Sequence, residues 1–295
     1  MRHFLSVNDL SVGDIRKIFS LADKARRGAS IGNVEGTLAL FFQKPSTRTR
    51  VSFESAMIRL GGHSIYIDAS TSQFSRGESP GDTARILSLY VDFVAARLYR
   101  HVDLEEMASF SHIPVINALT DLEHPTQALA DMYTMKEVKG TCEGLRIAFI
   151  GDIATNTANS LMLAATKLGS DIRLVGPKNF RPNAEYVAMA RRQGSVDIYD
   201  SVAKGLDGAD VIYTDTFVSM GMEKEAAKRR RLFRHYRLDS RAVGYAKKDA
   251  IVMHCLPAHR GEEITSEVLD GQRSVVWKQA GNKMLIEEAL LGFLG

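Results

Sequence analysis

The chain has 295 residues, 45% hydrophobic and 25% charged, with 38 basic side chains against 35 acidic ones and a formal net charge of +3. These proportions exclude a disordered or fibrous protein, and scattered charge of nearly balanced sign gives no compositional reason to expect nucleic acid or an anionic membrane as partner. Two cysteines, Cys142 and Cys255, cannot build a disulfide framework and form no C-x-x-C zinc pair, which fits a reducing cytoplasm.

The opening stretch "MRHFLSVNDL" lacks the apolar core of a signal peptide, and no apolar run approaches the ~18 residues of a membrane span, so a cytoplasmic protein is expected. The length exceeds one typical core and predicts two domains. From about residue 36 apolar runs alternate with helical patterns: "GTLALFFQ", "HSIYID", "DFVAARL" and "IPVINAL" each precede a polar turn and an amphipathic segment. The first such helix carries Phe53, Ala56, Met57 and Leu60 on one face and stops at Gly61-Gly62. Between the halves, "HPTQALADMYTMKEVKG" predicts a bridging helix with Pro125 in its first position and Ala128, Leu129, Met132 and Met135 as its core face. A second series follows: "RIAFIGD", "DIRLVGP", "VDIYDS", "ADVIYTD" and "AIVMHCLP", with Leu161, Ala164, Ala165 and Leu168 striping an intervening helix. The expected fold is α/β: two doubly wound domains with parallel sheets, linked by interdomain helices. The boundaries are 1–137 and 138–281, with a terminal helix at 282–295 returning to the first domain.

In "GTLALFFQKPSTRTR" the chain passes from strand to helix through Ser46, Thr47, Arg48 and Thr49. Unpaired N–H groups and partial positive charge at a helix start attract phosphate, and arginine adds a planar fork for two oxygens. The plainer alternative is that Ser46 caps the helix while Arg48 and Arg50 lie in solvent. Two arginines and two threonines in one cap favour a site, with Arg50 the bystander. The G-x-x-x-x-G-K-[ST] loop is absent, which points to a small phosphorylated ligand rather than a nucleotide triphosphate. At the bridging helix, His124 and Gln127 could polarise a carbonyl, since a helix N-terminus favours neutral imidazole. Alone, this fragment reads equally as a His-Pro turn with a surface glutamine.

Together, "STRTR" at 46–50 and "HPTQ" at 124–127 resemble the carbamoyltransferases, which transfer the carbamoyl group of carbamoyl phosphate to an amine, and the resemblance extends over almost the whole chain. It implies that Ser46, Thr47, Arg48 and Thr49 hold the phosphate, joined by Arg97, and that Thr49, Arg97, His124 and Gln127 surround the carbamoyl group. From sequence alone Arg97 would be an edge-strand charge. In the family, the loop matching "TSQFSRGESPGD" reaches a neighbouring subunit's site, which implies a homotrimer with shared sites and a contact role for Gln73.

"DTFVSMG" and "HCLPAHRGEEIT" resemble the ornithine branch of the family. The resemblance implies that Asn156, Asp215, Ser219 and Met220 bind ornithine. It sets Cys255 beside the reacting centre, with Leu256 offering its carbonyl, and Arg97, His124, Cys255 and Asp215 form the catalytic set. The implied reaction yields citrulline and phosphate, as in arginine biosynthesis and the urea cycle, with no cofactor. The neighbouring alternatives are transfer to putrescine or N-acetylornithine, or a non-catalytic phosphate-ligand sensor. The chain departs from the family pattern at Thr155-Asn156, where paired asparagines are usual, and at "AGNK", where Lys283 replaces an arginine and so loses the bidentate fork for carbamoyl phosphate.

Three other readings are weaker. His254, Cys255 and His259 are metal-ligand types, but adjacent strand residues point to opposite faces, so no metal is expected. "KEAAKRRRLF" follows two glutamates and has no aromatic interleaving, so it reads as a solvated helix rather than a nucleic-acid site, after a loop that the resemblance identifies as a lid. "FIGDIATNTANS" has one glycine where a dinucleotide fingerprint needs three.

Overall fold

The structure is a computed structural model that describes residues 2–218 and 223–295. The chain divides into two compact units, Met1–Ala130 with Asn282–Gly295, and Asp131–Gly281.

The first unit contains α1 (Val12–Arg26), β1 (Thr37–Phe42), α2 (Thr47–Arg59), β2 (His63–Asp68), α3 (Pro80–Leu87), β3 (Phe93–Arg97), α4 (His101–Phe110) and β4 (Val115–Leu119). All four strands are parallel, in the order β2-β1-β3-β4. The central strands β1 and β3 are apolar almost throughout because helices cover both faces of a parallel sheet. Edge strand β2 is partly exposed along its length. The direction of strand addition reverses between β1 and β3, and Phe42 sits opposite Arg97, so the connections leaving these two strands emerge side by side. A crevice at such a reversal is where open α/β sheets take ligands.

Helix α2 follows from its sequence. Ser46 caps it, Phe53, Ala56 and Met57 bury one face, and Gly61 ends it in the left-handed region at φ 86°. Gly62 then lets β2 start close beneath the helix. A Cβ there would lie 2.4 Å from Met57 Cε, 2.6 Å from the Val34 carbonyl oxygen and 2.7 Å from that of Gly36.

Pro125 opens α5 (Pro125–Lys139), inside which the division between units falls. The expected face of Ala128, Leu129, Met132 and Met135 is buried, but so are Thr126, Gln127, Asp131 and Thr134. The helix is therefore enclosed all round for most of its length, not amphipathic, and its polar side chains need internal partners.

The second unit holds β5 (Arg146–Ile150), α6 (Asn156–Lys167), β6 (Asp171–Val175), α7 (Ala184–Arg191), β7 (Val196–Tyr199), α8 (Val202–Leu206), β8 (Val211–Thr214), α9 (Ala226–Phe233), α10 (Ser240–Val243), β9 (Ile251–His254) and α11 (Ser266–Leu269). Its five parallel strands run β7-β6-β5-β8-β9, with the reversal between β5 and β8. Ile150 is level with Thr214, and Thr214 with His254, so residues after 150, 214 and 254 leave the sheet together. The last helix, α12 (Val276–Leu294), begins in this unit and ends in the first. Among the described residues no helix is long and apolar enough to cross a membrane.

Two of the three close contacts at Gly62 are backbone oxygens that cannot swing aside. Gly62→Ala should therefore cost about 1–3 kcal/mol, the usual penalty of forced overpacking, read as a lower denaturation midpoint with unchanged denaturant slope. An unchanged midpoint would show that this approach is looser than described.

Candidate active site

In the first unit, Ser46 has an extended backbone, and its Oγ accepts the Thr49 N–H at 3.3 Å. Thr49 is buried while Thr47 and Arg48 are exposed, so the start of α2 presents hydroxyls, a guanidinium and unpaired backbone N–H groups to one region. Arg50 is occupied elsewhere, pairing with Glu54 at 2.9 Å and lying 4.0 Å over the Tyr66 ring.

Arg97, 5% exposed, is no edge-strand charge: it ends a central strand, where the register to β4 shifts between Ala96 and Arg97. Its carbonyl accepts from Gln43 N–H at 2.9 Å, tying it to the β1 connection. His124 precedes α5, and its carbonyl accepts the N–H groups of Gln127 and Ala128, both at 3.1 Å. Lys283 Nζ lies 3.4 Å from His124 Nε2 and donates to Gln127 Oε1 at 3.2 Å. Burial, then the charges of Lys283 and Arg97, push the His124 pKa well below its ordinary value. Neutral imidazole is thus favoured mainly by lost solvation and two cations, whereas the sequence suggested the helix end. Gln73 is exposed on a short 3-10 turn, Gln73–Arg76, and its carbonyl accepts from Glu78 N–H.

In the second unit, Asp215 follows β8 and is 8% exposed. Cys255 Sγ donates to Asp215 Oδ1 at 3.0 Å. Burial, reinforced by Asp215, raises the Cys255 pKa well above its ordinary value, so the thiol keeps its proton. Leu256 adopts φ 60°, a left-handed backbone that a leucine takes only when its surroundings impose it. Its N–H donates to His254 Nδ1 at 2.8 Å. Asn156 is the first residue of α6, and Thr155 caps that helix by accepting from Ala158 N–H at 3.2 Å. Threonine thus fills a capping role here that the family's usual asparagine could also fill. Ser219 and Met220 lie outside the described residues.

The ligand atoms of Asp215, His254 and Cys255 lie within 4.8 Å of one another. Strand alternation, which seemed to separate residues 254 and 255, fails because β9 ends at His254. The donor set nevertheless does not suit a metal. His254 Nδ1 accepts the Leu256 N–H, which leaves the ring hydrogen on Nε2, directed at Glu263 Oε1 3.1 Å away, so both ring nitrogens are already engaged.

Three features escaped the sequence reading. Arg229, in the supposedly solvated "KEAAKRRRLF", is 4% exposed, pairs with Asp152, donates to the Phe217 carbonyl at 2.7 Å and faces the Phe233 ring. Its four-residue spacing from the apolar Phe233 was the available signal. Gln279 joins Asp131 Oδ1 at 2.7 Å, the Tyr213 hydroxyl at 3.2 Å and the His254 N–H at 2.9 Å, all buried. Glu287 is fully buried one turn from Lys283, on a stripe with Ile286 and Leu290 that the spacing in "NKMLIEEALL" does show.

The sequence model for the carbamoyl-P binding domain of aspartate/ornithine carbamoyltransferases matches residues 2–137, and that for the Asp/Orn binding domain matches residues 143–294. The anabolic ornithine carbamoyltransferase of Pyrococcus furiosus is 45% identical over 303 residues, covering 99% of this chain and 96% of that protein. The ornithine carbamoyltransferase of Ignicoccus hospitalis is 48% identical over 304 residues, covering 99% and 98%. Among solved structures, the Pyrococcus furiosus ornithine carbamoyltransferase gives a TM-score of 0.94 at 44% identity, covering 99% of this chain and 96% of that one. The anabolic enzyme of Campylobacter jejuni gives 0.93 at 38% identity, covering 100% and 99%. Matched from end to end in sequence and in backbone, the chain belongs to the aspartate/ornithine carbamoyltransferase family.

Proposed function

We propose that the chain is an ornithine carbamoyltransferase, converting carbamoyl phosphate and L-ornithine to L-citrulline and phosphate. The observation that carries this reading is the group at the β1/β3 reversal. There Arg97 and Lys283 bring positive charge out of water around an imidazole disposed to stay neutral, beside the capped start of α2. A doubly charged donor with a carbonyl to polarise suits that arrangement.

In this reading residues 1–137, with the C-terminal segment 282–295, take carbamoyl phosphate and residues 138–281 take ornithine. Ser46, Thr47, Arg48 and Thr49 bind the phosphate, and Gln127 and Lys283 hold the carbamoyl end, with the Leu256 carbonyl accepting from its amide. Asn156, Asp215, Ser219 and Met220 receive the amino-acid end of ornithine, with the Asp215 carboxylate answering the α-ammonium. The neutral δ-amine attacks the carbamoyl carbon. Its nitrogen forms the new C–N bond and then sheds a proton, while the C–O bond to phosphate breaks and the electron pair leaves with phosphate. Thr49, Arg97 and His124 stabilise the oxyanion between these events, and Arg48 and the α2 terminus take up the leaving charge. Alignment of the two substrates contributes up to about 7–11 kcal/mol of barrier reduction. Cys255 stays a thiol beside the reacting centre, which disfavours a covalent carbamoyl-cysteine and supports direct transfer.

The working assembly is a cytoplasmic homotrimer in which Gln73 reaches a neighbour's site. Its support is the distribution of apolar surface. Ten large apolar side chains are exposed among the described residues, and all but Trp277 belong to the first unit, including Ile58, Ile65, Leu89 and Tyr90. Citrulline formation would serve arginine biosynthesis or a urea cycle.

Phosphate release should be fast with ornithine and slow with putrescine, N-acetylornithine or aspartate in its place. Preference for another amine would reassign the substrate, and no release with any would leave a sensor. Arg97→Ala and His124→Ala should each lower kcat by roughly 10²–10³-fold, as loss of one oxyanion donor does; wild-type turnover would remove that residue from the mechanism. For Asp215→Asn, calorimetry should register weakened ornithine binding with carbamoyl phosphate binding nearly intact, and the reverse pattern would contradict the assignment of substrates to units. Because the attacking amine must be neutral, turnover should climb from pH 7 into the alkaline range. His124, with its pKa depressed, should contribute no inflection near pH 6.5.

A further inference from the structure

Glu287 has no part in the mechanism above, yet a fully buried carboxyl group is costly to keep without a purpose. We propose that Glu287 is a positioning residue: it keeps Lys283 as a buried ammonium, and that ammonium fixes the hydrogen of the His124 ring on Nδ1. The role assigned to His124 rests on the function proposed above, whereas the state of its ring does not.

An ammonium has only hydrogens to offer, so at the 3.4 Å contact His124 Nε2 must accept and Nδ1 must carry the ring hydrogen. A lysine amine that had lost its proton could accept instead, and either tautomer would then satisfy the contact. The charge on Lys283 therefore decides which edge of His124 can donate to an oxyanion. The same ammonium donates to Gln127 Oε1 at 3.2 Å, which orients that amide with its NH₂ group turned away from Lys283.

Holding that charge is not automatic. Lys283 is 6% exposed, and burial drives a lysine toward its neutral form. The carboxyl of Glu287, four residues on and 3.9 Å away, is the counter-charge on the same helix face. Its neighbour Glu288 is committed to Arg59 of α2 at 3.1 Å. Ser52 of α2 donates its hydroxyl to the Thr49 carbonyl at 3.3 Å, and the titratable or charged groups bearing on the cluster include His124 ahead of α5 and Arg97 at the end of β3. Burial raises the Glu287 pKa to about 8, against the pull of Lys283, so the carboxyl ionises as the solution turns alkaline, which is where a buried lysine most needs a counter-charge.

The test is imidazole nitrogen spectroscopy on ¹⁵N-histidine-labelled protein without substrates, with His124 assigned by difference from His124→Asn. Wild type should show His124 neutral with hydrogen on Nδ1 at pH 7 and pH 9. Glu287→Gln, nearly isosteric, should keep that tautomer at pH 7 and lose its preference at pH 9. There its KM for carbamoyl phosphate should rise roughly tenfold, equivalent to one pKa unit, with kcat less affected. Lys283→Met should lose the preference at both pH values. An Nε2–H or doubly protonated His124 in wild type, or an unaltered tautomer in Lys283→Met, would overturn the proposal. So would a Glu287→Gln protein matching wild type at pH 9. These signals are read without turnover, so absence of carbamoyl transfer in wild type would count against the proposed function alone.

Discussion

Positive charge held out of water at the ends of β1 and β3 is the constraint on which the first unit depends. Arg97 and Lys283 are each about as hidden as a core leucine, and a cation in such a place loses several kcal/mol of hydration that only nearby dipoles and counter-charges return. The surrounding sequence answers that demand. Helix α5 enters with its polar Gln127 facing Lys283, and α12 supplies Glu287 four residues from the lysine. The polar start of α5 meets that need through Gln127, whereas Asp131 further along the helix is bonded to Gln279 instead.

The second unit solves the opposite problem with the same strand-end geometry. At the end of β8 a carboxylate, Asp215, is buried against a thiol rather than a cation. A carboxylate so weakly compensated is disposed to take a positively charged partner. Asp152, after β5, shows the compensated case: its guanidinium partner Arg229 also faces two aromatic rings and holds the Phe217 carbonyl. Of two acids leaving neighbouring strands, Asp152 is thus paired with a guanidinium, whereas Asp215 accepts from a thiol and from the Thr216 N–H.

The nine strands of the described residues were legible because parallel strands covered on both faces leave short apolar runs bounded by polar turns. The cap at Ser46 and the stop at Gly61-Gly62 were legible because caps are local. Arg97 was not, since a charge at the end of an apolar run looks the same on an edge strand as on a central one, and strand order is a long-range fact. Arg229 failed for a related reason: four basic residues in a row hide which one turns inward, and only the position of Phe233 separates them. His254 and Cys255 misled differently. Two-residue alternation does not extend to Cys255, one position past the end of β9, where the chain has left the strand and the left-handed Leu256 follows.

Burial of this cluster also couples the site to stability, with opposite signs on its two sides. His124 binds its proton less readily in the folded protein than in the unfolded chain, so the unfolded state takes up more protons as pH falls through about 6.5, and stability falls with it. Glu287 runs the other way. Its folded pKa of about 8 lies above its ordinary 4.5, so between those values the folded state holds more protons, and the advantage fades as pH rises. One residue therefore penalises the fold on the acid side and the other as the solution turns alkaline. Transfer from a neutral amine is favoured in the same alkaline range, so the carboxylate that would preserve the charge on Lys283 there does so at the expense of the fold that buries it.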